Sequence, residues 1–65
     1  MITIELNGEA TTLPAGTSLA ALIARRGPAP VAAAVNGRFV PAGARAGTTL
    51  QPGDRVELVS PMEGG

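Results

Sequence analysis

Ile2-Thr3-Ile4-Glu5-Leu6-Asn7-Gly8-Glu9-Ala10-Thr11-Thr12-Leu13 follows the initial Met1 and reads as a β-hairpin. Ile2, Ile4 and Leu6 alternate with polar residues, the period of a strand with one buried face. Asn7-Gly8 is the dipeptide that a two-residue hairpin turn prefers, because both residues tolerate positive φ. Such a turn sets Leu6 opposite Glu9, Ile4 opposite Thr11 and Ile2 opposite Leu13. That register returns Leu13 to the apolar face, so the alternation and the turn specify the same pairing.

The device recurs at residues 31–40, where Val31-Ala32-Ala33-Ala34-Val35 is followed by Asn36-Gly37 and then Arg38-Phe39-Val40. Alanine favours helix, but Pro28 and Pro30 before the run and Asn-Gly after it decide for a strand. The implied register pairs Val35 with Arg38 and Ala33 with Val40. Phe39 then lies on the face opposite Val31, Ala33 and Val35. Between the hairpins, Pro14-Ala15-Gly16 breaks the second strand and Thr17 stands where an N-cap belongs. Ser18 to Arg26 reads as a helix with one narrow stripe, Leu19, Leu22 and Ile23. Arg25 and Arg26 fall in its last turn, where they complement the helix dipole, and Gly27 is the expected C′ residue. A helix this short does not persist alone, so the stripe must dock on the sheet.

Residues 42–49 have no clear period and read as a loop with room for one helical turn, and Leu50 anchors its end in the core. Pro52-Gly53 signals a type II turn. Asp54 to Ser60 is the last strand, with Val56 and Leu58 on one face, and Pro61 ends it.

Composition narrows function more than it specifies it. The chain has 65 residues and 45% hydrophobic content, but twelve of those residues are alanine, leaving fourteen Val, Ile and Leu as the main core material. A chain of this size buries roughly 60% of its surface on folding, enough for one sheet on one helix. There is no Cys and no His, which removes disulfides, thiol nucleophiles, imidazole bases and the common zinc sites. Lys, Trp and Tyr are also absent, so a Schiff-base lysine, a phenol acid and a stacking platform for bases are missing. Five Arg balance five Asp and Glu, with none of the basic stripe that nucleic-acid binding requires. No apolar run approaches the ~20 residues of a membrane span, and no signal-peptide pattern precedes Ile2. The expectation is a cytoplasmic domain with neither nucleic acid nor membrane as partner, no bound cofactor and no metal. Asp54 and Glu57 lie too far apart along one exposed strand to act as a catalytic carboxylate pair, and no acid, base and nucleophile set can be assembled.

The order hairpin, helix, hairpin, loop, strand is the α+β, ubiquitin-like β-grasp arrangement: a mixed four- to five-stranded sheet packed on one main helix. Placing the last strand in the middle, beside the first, rests on that analogy. The expected organisation is a β-grasp domain over residues 1–60 and a flexible C-terminal tail over 61–65 that ends in Gly-Gly.

The tail carries the functional signal. Glycines at a chain end are often frayed and inert, yet a terminal carboxylate that is to be transferred must first be activated, most simply as an acyl-adenylate made from ATP. An activating enzyme has to admit the chain end into a narrow, water-excluded channel. Gly64 and Gly65 have no Cβ, so the backbone can pass close to the channel walls and take φ and ψ closed to other residues. Extended, residues 61–65 reach on the order of 15–18 Å. With no lysine, the chain offers only its α-amino group as an acceptor, which disfavours polymeric tagging. Gly65 is thus the candidate reactive terminus and Gly64 the threading residue. Met62, beside the glycines, is a candidate contact for a partner groove. Glu63 is a solvated charge or an ion-pair partner for an enzyme arginine. Phe39, the single aromatic residue, is either core or docking residue, and the hairpin register favours docking.

Three segments resemble the bacterial sulfur carrier of thiamine thiazole synthesis: Val31 to Pro41, Gly53-Asp54-Arg55-Val56-Glu57, and the ending Pro61-Met62-Glu63-Gly64-Gly65. Length and helix position agree, so the resemblance spans essentially the whole chain. One departure follows Val40-Pro41, where that family usually has an arginine and then an aromatic residue and this chain has Ala42-Gly43-Ala44-Arg45. The resemblance implies a protein cosubstrate, not an enzyme. An E1-like adenylating enzyme would join AMP from ATP to the Gly65 carboxylate. Sulfur from a desulfurase or persulfide protein would displace AMP to leave a thiocarboxylate, and thiazole synthase would take that sulfur. Two alternatives remain at this level: a carrier like the small subunit of molybdopterin synthase, and a non-conjugated β-grasp interaction module.

Overall fold

Both hairpins form in the registers set by their Asn-Gly turns. The computed structural model describes residues 1–60, and the expected tail over 61–65 lies outside them. Strand β1 (Ile2–Leu6) pairs antiparallel with β2 (Glu9–Leu13), with Ile2 opposite Leu13, Ile4 opposite Thr11 and Leu6 opposite Glu9. Strand β3 (Ala32–Val35) pairs with β4 (Arg38–Val40), with Ala33 opposite Val40 and Val35 opposite Arg38. Asn7 and Asn36 have φ of 48° and 52°, the left-handed region that this turn demands at its first central residue and that asparagine tolerates.

Strand β5 (Arg55–Val59) closes the sheet between the hairpins, giving the order β2-β1-β5-β3-β4. It runs parallel to β1 and antiparallel to β3. This five-stranded mixed sheet with one helix is a ubiquitin-like β-grasp. β5 begins one residue later and ends one residue earlier than its sequence suggests, after a turn in which the Asp54 N–H donates to the Gln51 carbonyl and Gly53 takes φ +84°. That φ is the third-residue conformation of a type II turn.

The helix differs from expectation at both ends. α1 spans Leu19–Ala24, and its N-cap is Ser18, whose hydroxyl accepts the Ala21 N–H at 3.0 Å. Thr17 stands one residue outside the cap, where its hydroxyl donates to the Pro14 carbonyl at 2.6 Å and its carbonyl accepts the Leu50 N–H at 2.9 Å. Arg25 is the C-cap, so Arg25 and Arg26 stand just beyond the last turn. The chain continues through two tight turns, Arg26 N–H to Ile23 carbonyl and Gly27 N–H to Ala24 carbonyl, before Gly27 at φ +105° turns it away.

The segment after β4 is more ordered than its sequence shows. A 3₁₀ turn spans Ala42–Ala44, and the following residues cap the helix. The Leu19 N–H donates to the Thr48 carbonyl at 2.8 Å and the Ala20 N–H to the Arg45 carbonyl at 3.2 Å. Together with Ser18, this gives every N–H of the first helical turn an acceptor, where an isolated helix leaves them open. The Arg45 guanidinium reaches the Val31 carbonyl at 2.7 Å, tying the loop to the approach of β3. Val31 therefore lies buried just outside the strand that it was expected to open.

The core lies between α1 and one sheet face: Ile4, Leu13, Leu19, Leu22, Ala33, Leu50, Val56 and Leu58. No polar or charged residue is buried among the described residues. Burying each leucine here contributes about 1.5–3 kcal/mol, so this single cluster supplies most of what opposes chain entropy.

Candidate docking face and the base of the tail

With the helix covering one side, function has the other side of the sheet to use. The β5 pattern makes the division plain: Val56 and Leu58 are buried, and Arg55, Glu57 and Val59 are exposed. Ala34 is opposite both Glu57 and Phe39, and Ala32 is opposite Val59, which puts these five side chains on the outer face. Phe39 is 66% exposed and Val59 is 60% exposed. The two alanines between them leave a shallow groove of about 250 Å³. One large aromatic, one branched aliphatic and a floor of methyl groups make an apolar face that water covers unfavourably.

The face becomes polar toward the other edge. Glu5 on β1 is in register with Arg55 on β5. A second cavity, about 260 Å³, opens between the two hairpin turns and is lined by Glu5, Asn7, Gly8, Gly37, Arg55 and Glu57. Its single cation stands among two carboxylates, so it offers no positive cradle for a phosphate. No cluster of three or more metal-ligating side chains occurs among the described residues, and none of their helices is long and apolar enough to cross a membrane.

The structure thus puts Phe39 on the exposed face and brings Ala32, Ala34, Glu57 and Val59 to it; of these neighbours the sequence marks only Glu57, and as an exposed strand residue, not as part of a docking face. Met62, Glu63, Gly64 and Gly65 lie outside the described residues, so their expected roles have no geometry here. What can be described is the strand from which they follow. β5 ends at Val59, on the rim of the apolar groove.

Asparagines hold that strand at two points, another feature that sequence reasoning passed over. Asn7 donates to the Leu58 carbonyl at 3.1 Å and accepts the Leu58 N–H at 2.9 Å. Asn36 accepts the Arg55 N–H at 2.9 Å and donates to Asp54 at 3.0 Å. From the sequence alone both are turn formers. The available signal was the choice of Asn over Gly at the first turn position, since glycine alone would satisfy the backbone.

The comparisons with known proteins agree with this geometry. The model of the ThiS family matches residues 3–65. A crystal structure of a thiamine biosynthesis protein (ThiS) from Geobacter metallireducens aligns with a TM-score of 0.82 at 26% identity, covering 98% of this chain and 100% of that one. No curated protein matches the sequence at a significant level.

Proposed function

This chain belongs to the ThiS family, and from that premise we propose that it is a cytoplasmic sulfur carrier in thiamine biosynthesis, a cosubstrate whose reactive group is the carboxylate of Gly65. The observation that carries the reading is the family match, which runs through Gly64 and Gly65. The absence of His, Cys and Lys from the sequence supports it, because the common nucleophiles and bases are missing.

The chemistry follows from the electrophile. A carboxylate ionised at neutral pH resists nucleophilic attack. In the proposed cycle a Gly65 oxygen attacks the α-phosphorus of ATP in an E1-like adenylating enzyme, and pyrophosphate leaves. The terminal sulfur of a persulfide on a sulfur-donating protein then attacks the acyl carbon and displaces AMP. A thiol cleaves the resulting S–S bond, leaving the thiocarboxylate on the carrier and a disulfide on the donor side. Thiazole synthase consumes the sulfur and returns a carboxylate. The carrier contributes the acyl carbon and a surface by which each enzyme holds it. Gly64 lets the backbone enter a narrow channel, Met62 and Glu63 contact the channel mouth, and Phe39 with Val59 docks the folded body.

The test is reconstitution. Incubation with ATP, the adenylating enzyme and a persulfide donor should convert the Gly65 carboxylate to a thiocarboxylate, and deletion of Gly64 and Gly65 should abolish the product. Enzyme binding that survives the deletion, with no sulfur incorporation by the intact chain, would instead identify a plain interaction module.

A further inference from the structure

The two edges of β5 are held differently. On the β3 side Val56, Glu57, Leu58 and Val59 face Val35, Ala34, Ala33 and Ala32 in an unbroken ladder. On the β1 side only Glu5 and Leu6 are in register with it, because the chain turns away at Asn7-Gly8. Asn7 fills the gap. Its N–H donates to the Val56 carbonyl at 2.9 Å, and its carboxamide takes both backbone groups of Leu58, the N–H at 2.9 Å and the carbonyl at 3.1 Å. An amide presenting one acceptor and one donor to the same residue replaces the peptide that a longer β1 would have offered. The turn does not need these two bonds, since glycine reaches φ near 48° without them.

From this we infer that Asn7 is a positioning residue of the carrier: it pins β5 at Leu58 on the edge that β1 leaves open, fixing where the chain departs toward its reactive end. The inference rests on the proposed function. Pro61 follows Leu58 by three residues, and Val59 between them is paired with Ala32 on the β3 side. Without the Asn7 bonds the end of β5 is therefore held along one edge only, and the direction in which the chain leaves it is less fixed. A carrier whose exit point wanders still docks by its outer face but delivers its terminal carbonyl to the activating site in a smaller fraction of encounters. The rate falls by that fraction.

Asn36 supplies the control. It occupies the equivalent position of the other Asn-Gly turn and makes two side-chain bonds at the opposite end of the same strand, to Arg55 and Asp54. Asn7→Gly and Asn36→Gly each keep a turn that tolerates positive φ and each remove one carboxamide. The measurements are thermal stability, amide exchange at Leu58, and kcat and KM for ATP-dependent thiocarboxylation by the adenylating enzyme with a persulfide donor. The expected result is a similar loss of stability in both variants. Asn7→Gly alone should show faster exchange at Leu58 and a kcat lower by on the order of fivefold or more, with KM nearly unchanged. Asn7→Asp, which keeps the acceptor for the Leu58 N–H but turns an oxygen toward its carbonyl, should lie between Asn7→Gly and the parent protein. Equal kcat losses in the two glycine variants, or a Leu58 amide in Asn7→Gly as protected as in the parent, would overturn the inference alone. A parent protein that forms no thiocarboxylate would overturn the functional reading and this inference with it.

Discussion

Replacing Phe39 by alanine should weaken engagement of the activating enzyme while leaving the fold almost intact, and the two magnitudes follow from one observation. Phe39 is 66% exposed, so of the ~200 Å² that an aromatic side chain can bury, about 130 Å² await a partner. At ~25 cal/mol/Å² that area corresponds to about 3 kcal/mol. The β-carbon retained by alanine and imperfect coverage in the complex reduce the difference to about 2 kcal/mol, roughly a 30-fold rise in Kd. The portion already covered within the fold is about 70 Å², about 1.8 kcal/mol at the same coefficient. The β-carbon that alanine retains, worth about 0.8 kcal/mol, brings the cost in stability near 1 kcal/mol, a fall of about 4–8 °C in Tm. Titration calorimetry against the adenylating enzyme, paired with a thermal melt of the free carrier, reads both numbers. Unchanged affinity accompanied by a large fall in Tm would rule out a docking role, because Phe39 would then be supporting the sheet and not a partner.

Two further outcomes concern the fold that presents this face. Leu19 is fully buried and is one of only two buried residues on α1, so Leu19→Ala should cost about 2–5 kcal/mol in denaturant unfolding. Since a 65-residue chain has roughly 3–10 kcal/mol in total, that variant should be partly unfolded at 37 °C. Ser18→Ala removes the hydroxyl that accepts the Ala21 N–H and should cost about 1 kcal/mol by thermal melt. Thr17→Ala leaves that cap in place and should cost less, and a larger loss from Thr17 than from Ser18 would contradict the cap assignment.

Both hairpins were legible in the sequence because two independent signals, the alternation of apolar residues and the Asn-Gly turns, demand one register. The outward position of Phe39 came with the second of these registers. Other features were set by contacts between distant segments. Thr17 and Ser18 are both capping types, and local sequence does not choose between them; in the fold Ser18 accepts the Ala21 N–H, while Thr17 bonds to Pro14 and Leu50. Residues 42–49 show no period because their role is to supply carbonyls to the helix N-terminus, a task that any residue type performs. The central place of β5 was taken from analogy, since apolar alternation at Val56 and Leu58 would suit an edge strand as well. Asn7 and Asn36 are recognisable in the sequence as turn formers, and their cross-strand bonds emerge only once β5 lies between them. For the proposed reactive end, the sequence supplies Gly64 and Gly65, and the described residues include the strand that precedes them.

Acyl activation at Gly65 is unusually easy to test in a chain of this composition. Replacing one oxygen by sulfur adds about 16 Da, the same nominal gain as oxidising a methionine to its sulfoxide, and Met62 lies in the same tryptic peptide, residues 56–65. A thiol-selective maleimide resolves the ambiguity, because a chain without cysteine has no other thiolate to react. After incubation with ATP, the adenylating enzyme and a persulfide donor, a carrier activated at its terminus should carry one maleimide adduct, located by fragmentation on Gly65 and absent without ATP. A mass gain that maps to Met62, with no adduct under any condition, would contradict activation at Gly65.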